Sequence, residues 1–166
     1  MPTGVVDSVG EQQAVGMLQA SRPDAASALR AYGLGEPGTS PGMVLARALT
    51  DLAFRSPARR LARRHPGPTY SFDFRWPSPL HQGRLGACHG LELPFVFNTL
   101  RAAGGPAGLV GDTPPTQISA LMQQAWVNFA TKGDASWPEY RPDNQVLRIE
   151  AESSVGTDET APRTDR

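Results

Sequence analysis

A chain of 166 residues is long enough to bury one hydrophobic core and too short for two domains of ordinary size. Hydrophobic residues at 39% and charged residues at 19% exclude global disorder, whereas 17 glycines and 16 prolines require much of the chain to be loop. Sixteen basic residues balance 16 acidic ones, so no whole-chain field draws nucleic acid or an anionic membrane, and a small neutral ligand fits better.

Cys88 is the single cysteine, which rules out an internal disulfide and a cysteine-based zinc site; no metal and no cofactor is expected. Met1 to Gly10 has neither a basic region nor an apolar run of the secretory kind, and no window approaches a membrane span. That favours the cytoplasm, on the condition that Met1 is the native start.

In chain order, Ser8 followed by Glu11 resembles a capping box, and Ala14, Val15 and Leu18 give one apolar face, predicting a helix over Ser8 to Ala20. A short helix from Pro23 to Tyr32 ends at Gly33 and Gly35. Ser40-Pro41 opens a third, in which Leu45, Ala48, Leu49 and Leu52 recur at helical spacing; Ser56-Pro57 opens a fourth, carrying Arg59, Arg60, Arg63 and Arg64. Tyr70, Phe72, Phe74 and Trp76 then alternate with Ser71, Asp73 and Arg75, which predicts a strand ended by Pro77 and Pro79. Ser78 to Gly90 is a polar, glycine-containing loop holding His81 and His89, and Leu91 to Phe97 is apolar but interrupted by Glu92 and Pro94.

After a second Gly/Pro-rich connection, Ile118, Leu121, Met122, Ala125, Trp126 and Phe129 line one face of the best-patterned helix, capped by Thr116 and stopped near Gly133. Val146 to Ile149 predicts a short last strand, and residues 151–166 are expected to form a disordered polar tail. No internal repeat is present.

Gly38-Thr39-Ser40-Pro41-Gly42 satisfies the G-x-S-x-G pattern of serine hydrolases in form only. A nucleophile elbow needs a buried strand before the serine and an N–H on the residue after it, to hold the oxyanion. Pro41 has no N–H, and Gly35-Glu36-Pro37-Gly38 cannot be a buried strand. Helix capping accounts for Ser40.

Of the three histidines, His65 follows an arginine cluster at the surface and His81 has no evident partner. His89 differs through its neighbours. Leu85-Gly86-Ala87-Cys88-His89-Gly90-Leu91-Glu92-Leu93-Pro94-Phe95-Val96-Phe97 resembles the G-A-x-H-G-x-E-L-P-[FY]-V-F signature around the catalytic histidine of type-B carboxylesterases and cholinesterases. Thr50 to Pro57, the aromatic strand from Tyr70 to Pro79, Trp126-Val127-Asn128-Phe129-Ala130-Thr131-Lys132-Gly133-Asp134 and Trp137-Pro138-Glu139-Tyr140 resemble further motifs of the same family. Together they cover most of the chain from Met43 to Ile149.

The resemblance implies an α/β fold, the C-terminal part of an α/β hydrolase: the last strands of the sheet with their packing helices, over residues 1–150. It implies that His89 is the triad histidine, a base toward the serine and then an acid toward the leaving alcohol. The serine and the acid of the triad precede the histidine in this fold, and neither position is present; the acidic motif would fall just upstream of Met1. Asp51 on a helix and Asp73 in a strand are better explained structurally, Asp112 as a turn residue, and Glu92 as a buried hydrogen-bonding partner that organises the loop. Cys88, adjacent to His89 on an extended loop, is expected to point away from it.

The sequence therefore predicts a segment of a serine esterase acting on small neutral carboxylic esters, inert alone, whose partner is the missing N-terminal part of the same domain. The alternative is a non-catalytic binding or scaffold protein built on the same fold.

Overall fold

A computed structural model describes residues 8–158. The described residues divide into two compact units, 8–61 and 62–158. The buried apolar residues gather into two clusters, one in each unit.

The first unit is helical. Helix α1 (Glu11–Gln19), α2 (Ala25–Ala31) and α3 (Pro41–Thr50) bury Ala14, Leu18, Ala25, Ala28, Leu29, Val44, Leu45 and Ala48. Half of that cluster is alanine, which lets helix axes approach closely. The start of α1 lies at Gly10, where the backbone N–H donates to Gln13 Oε1 at 3.1 Å, and not at the Ser8–Glu11 pair. Pro41 is the first residue of α3 and Ser40 its N-cap, although the Ser40 hydroxyl makes no capping bond.

A π-helical turn (Asp51–Arg55) leads from α3 into α4 (Ser56–Arg64), so the two helices expected from the sequence are joined without a loop. The wide turn accommodates Pro57, whose ring would otherwise clash with the carbonyl one turn back. Asp51, 2% exposed, accepts Tyr32 Oη–H at 3.0 Å and faces Arg55 at 3.4 Å, a structural role as anticipated. Burial, and then the Asp51 hydrogen bond, push the Tyr32 pKa up to about 12.

The second unit holds a three-stranded sheet in the order β1-β2-β3: β1 (Phe72–Phe74), β2 (Gln145–Ile149) and β3 (Ser154–Thr157). Strands β1 and β2 are parallel, with Phe72 opposite Leu147 and Phe74 opposite Ile149. A parallel pair needs a long crossover, and the chain uses it to carry the His89 loop, α5 (Leu93–Val96), α6 (Leu100–Ala103) and α7 (Thr116–Lys132). Strand β3 lies inside the segment expected to be a polar tail. Antiparallel pairing with β2 supplies backbone partners to residues whose side chains stay mostly exposed.

The alternating aromatics share one face as predicted. Tyr70 meets Phe129 at 5.9 Å and Trp137 at 6.1 Å, Phe72 meets Trp126 at 5.0 Å, and Phe74 and Trp76 meet Phe95 at 5.4 and 5.1 Å, ring centroid to ring centroid. Edge-on and tilted pairs of this kind contribute about 0.5–1.5 kcal/mol each beyond area burial. The core beneath them is Leu91, Phe95, Leu100, Val110, Ile118, Met122, Leu147 and Ile149. Helix α7 turns Ile118, Ser119, Met122 and Ala125 inward and stops at Gly133, whose N–H donates to the Phe129 carbonyl at 2.9 Å. Among the described residues, no helix is long and apolar enough to cross a membrane.

Candidate active-site loop

The loop starts where the β1–β2 ladder ends, with the N–H groups of Arg75 and Trp76 both donating to the Ile149 carbonyl at 2.8 and 3.2 Å. Two prolines then stop the strand, and between them Ser78 is fully buried. Its N–H donates to the Gly86 carbonyl at 2.9 Å, and its hydroxyl donates to the Leu109 carbonyl at 2.6 Å while accepting Leu80 N–H at 3.3 Å. His81, Gln82 and Gly83 follow with φ of 50°, 59° and 81°, a left-handed turn that returns the chain to Gly86.

Gly86 (φ 59°) and Gly90 (φ 76°) bracket the histidine in the left-handed region, where a Cβ would add strain. Between them Ala87 is exposed, Cys88 packs against the hydrophobic core, and His89 is exposed. The two adjacent side chains therefore point apart, as anticipated for Cys88. Among the described residues nothing is hydrogen-bonded to the His89 ring.

Downstream, Leu91 is fully buried and α5 begins, with Pro94 in the first turn where a missing N–H costs nothing. Phe95 is fully buried, and its carbonyl accepts the Ser119 hydroxyl of α7 at 2.8 Å; Asn98 Oδ1 lies 3.3 Å from the same hydroxyl. Among the described residues the Glu92 carboxylate has no hydrogen-bond partner. The residue is half-buried at the start of α5 and makes no capping bond, and it is its backbone carbonyl that receives Phe95 and Val96 N–H, each at 3.0 Å.

The remaining candidates fall elsewhere. Ser40 precedes a helix and follows a chain of turns rather than a strand. Asp73 pairs with Arg75 at 2.7 Å, Asp112 is exposed on its turn, His81 is exposed, and His65 Nδ1 accepts the N–H of Gly67 at 3.1 Å. No group of three or more His, Cys, Asp or Glu among the described residues could hold a metal ion.

Ser78 and Ser119 escape a search for reactive residue types. Each nonetheless leaves a faint trace. Ser78 accepts a bond from the N–H two residues on, a serine-turn pattern in Pro77-Ser78-Pro79, and Ser119 is a polar residue on the buried side of an apolar helix.

Solved esterases share this fold. The carboxylesterase EST55 of Geobacillus stearothermophilus superposes with a TM-score of 0.72 at 26% identity, covering 94% of this chain and 34% of that one, and a PNB esterase with 0.68 at 26%, covering 92% and 32%. The chain thus has part of the α/β-hydrolase fold, with its small sheet and packing helices. Phenmedipham hydrolase of Pseudarthrobacter oxydans is 35% identical over 137 residues, which is 75% of this chain and 27% of that protein. Para-nitrobenzyl esterase of Bacillus subtilis is 32% identical over 118 residues, 66% of this chain and 24% of its own length. The profile of the carboxylesterase family matches residues 11–165, and the chain belongs to that family. It spans about a quarter of the length of these curated relatives.

Proposed function

We propose that the chain is the histidine-bearing C-terminal segment of a serine carboxylesterase, with His89 as its proton-transfer residue, and that the 166 residues are inert toward esters by themselves. The observation that carries the reading is the exposed His89, whose ring is bonded to none of the described residues, on a loop tethered at both ends. Strand β1 supports it from another side: among the described residues it pairs only with β2, so its other edge is open to a further strand.

In the complete enzyme the imidazole accepts the proton of the serine hydroxyl as Oγ bonds to the ester carbonyl carbon. It then returns that proton to the leaving alkoxide as the ester C–O bond breaks, and repeats the cycle with water to release the acid. The partner is the part of the domain that carries serine and acid, and the substrate is a small neutral carboxylic ester.

The test has two arms. The purified chain should hydrolyse a short-chain nitrophenyl ester no faster than His89→Ala; faster hydrolysis overturns the proposal of inertness. Joined to an upstream reading frame supplying the acid and a true G-x-S-x-G, the chain should gain activity that His89→Ala lowers by about 10³-fold or more. Full activity of that variant would remove His89 from the mechanism.

A further inference from the structure

Among the described residues three polar or charged side chains are buried: Asp51, Ser78 and Ser119. Asp51 belongs to the first unit. The other two are the hydroxyls at either end of the His89 loop, and both donate to a backbone carbonyl distant in sequence.

We infer that Ser78 and Ser119 are positioning residues that fix the His89 loop in place. The inference rests on the proposed role of His89, to which it adds the groups that hold that residue still. Ser78 holds the N-terminal end. Its N–H fixes Gly86, three residues before the histidine, and its hydroxyl ties that point to Leu109 in the second Gly/Pro-rich connection. The connection is seated there by a close approach, since a Cβ on Gly111 would lie 2.6 Å from Pro79 Cγ.

Ser119 holds the C-terminal end. It binds the Phe95 carbonyl from the buried face of α7, and Phe95 in turn packs on Phe74 of β1. Residues 86–95 are thereby anchored at both ends while Ala87 and His89 face solvent. A buried hydroxyl carries a desolvation cost unless it is paired, and an alanine there would leave the Leu109 or Phe95 carbonyl without this donor. An exposed proton-transfer group gains from such anchoring, because a loop that wanders by about 1 Å loses on the order of 10² in rate.

The experiment compares amide hydrogen exchange in the 166-residue chain and in its Ser78→Ala and Ser119→Ala variants. Amides of β2, such as Leu147 bonded to the Ser71 carbonyl at 3.0 Å, report opening of the unit as a whole. The inference predicts that Gly86 to Leu91 exchange at least about fivefold faster relative to β2 in Ser78→Ala, and that Phe95 to Asn98 do so in Ser119→Ala. Equal acceleration of loop and β2, or loss of β2 protection in both variants, would show that the serines serve folding alone, and no change would show that they do not hold the loop; each result would overturn it.

In the enzyme completed as above, Ser78→Ala should lower kcat about tenfold with KM unchanged. Unaltered kcat also overturns the inference. If the parent sequence itself gives no hydrolysis there, the esterase reading fails, and exchange alone decides the role of the two serines.

Discussion

Truncating Phe95 to alanine tests whether the ring stack that joins the sheet to α5 is the centre of the second unit. Phe95 is fully buried, and its ring lies 5.4 Å from Phe74 and 5.1 Å from Trp76. Buried Phe→Ala changes cost about 3–5 kcal/mol, through lost transfer energy and the cavity left behind. Against a total stability of about 5–15 kcal/mol for a domain, that is a large share. Two residues on, Phe97 is 68% exposed, so Phe97→Ala should stay within about 0.5 kcal/mol. Trp76, Trp126 and Trp137 all lie in the second unit, so tryptophan emission during urea unfolding follows that unit alone. With a slope of about 2 kcal/mol/M, the midpoint should fall by roughly 2 M for Phe95→Ala and hardly move for Phe97→Ala. Similar shifts for both variants, or less than about 1 kcal/mol for Phe95→Ala, would refute the packing argument.

Gly111→Ala would place a Cβ 2.6 Å from Pro79 Cγ at a φ of +67°, and should cost about 1–3 kcal/mol by the same fluorescence assay; Gly105→Ala, with φ +100° but open space around it, should cost less. Tyr32→Phe removes the 3.0 Å donor to buried Asp51, leaving it only Arg55 at 3.4 Å, and should destabilise the first unit by about 1–3 kcal/mol, measured by circular dichroism during urea unfolding. The same tyrosine has a pH signature. Its folded pKa of about 12 lies above the ordinary 10.0, so it holds its proton more tightly when folded; the stabilisation is complete below pH 10 and disappears as pH rises through about 12. The difference in tyrosinate absorbance between parent and Tyr32→Phe should therefore have its midpoint near pH 12, and a midpoint near 10 would show that neither burial nor Asp51 disfavours the Tyr32 phenolate.

What the sequence disclosed depended on whether the physical cause was local. The aromatic strand was legible because a period of two puts Tyr70, Phe72, Phe74 and Trp76 on one face, and each of them found a ring to meet. Its length was not, since the ladder with β2 spans only Phe72–Phe74 and Tyr70 is held by ring contacts instead. The start of α1 moved from Ser8 to Gly10 because two cap arrangements lie two residues apart and either leaves Ala14 and Leu18 on the buried face. Strand β3 had no signal at all. Ser154–Thr157 is polar and mostly exposed, and it is a strand only because β2 offers an edge with a fixed register.

The same division runs through the His89 loop. His89 could be found because its neighbours form a contiguous pattern, whereas the bonds that hold its loop join residues far apart: Ser78 to Leu109 across 31 positions and Ser119 to Phe95 across 24. A serine donating to a backbone carbonyl asks nothing of the partner's side chain, so neither Leu109 nor Phe95 carries a mark of the contact. Glu92 shows the converse error. A carboxylate inside the motif invited a side-chain role, and the bonds that organise the turn come from its carbonyl, which any residue could supply. Substitutions confined to the histidine motif would therefore reach the proposed proton-transfer group and miss both hydroxyls proposed to hold its loop.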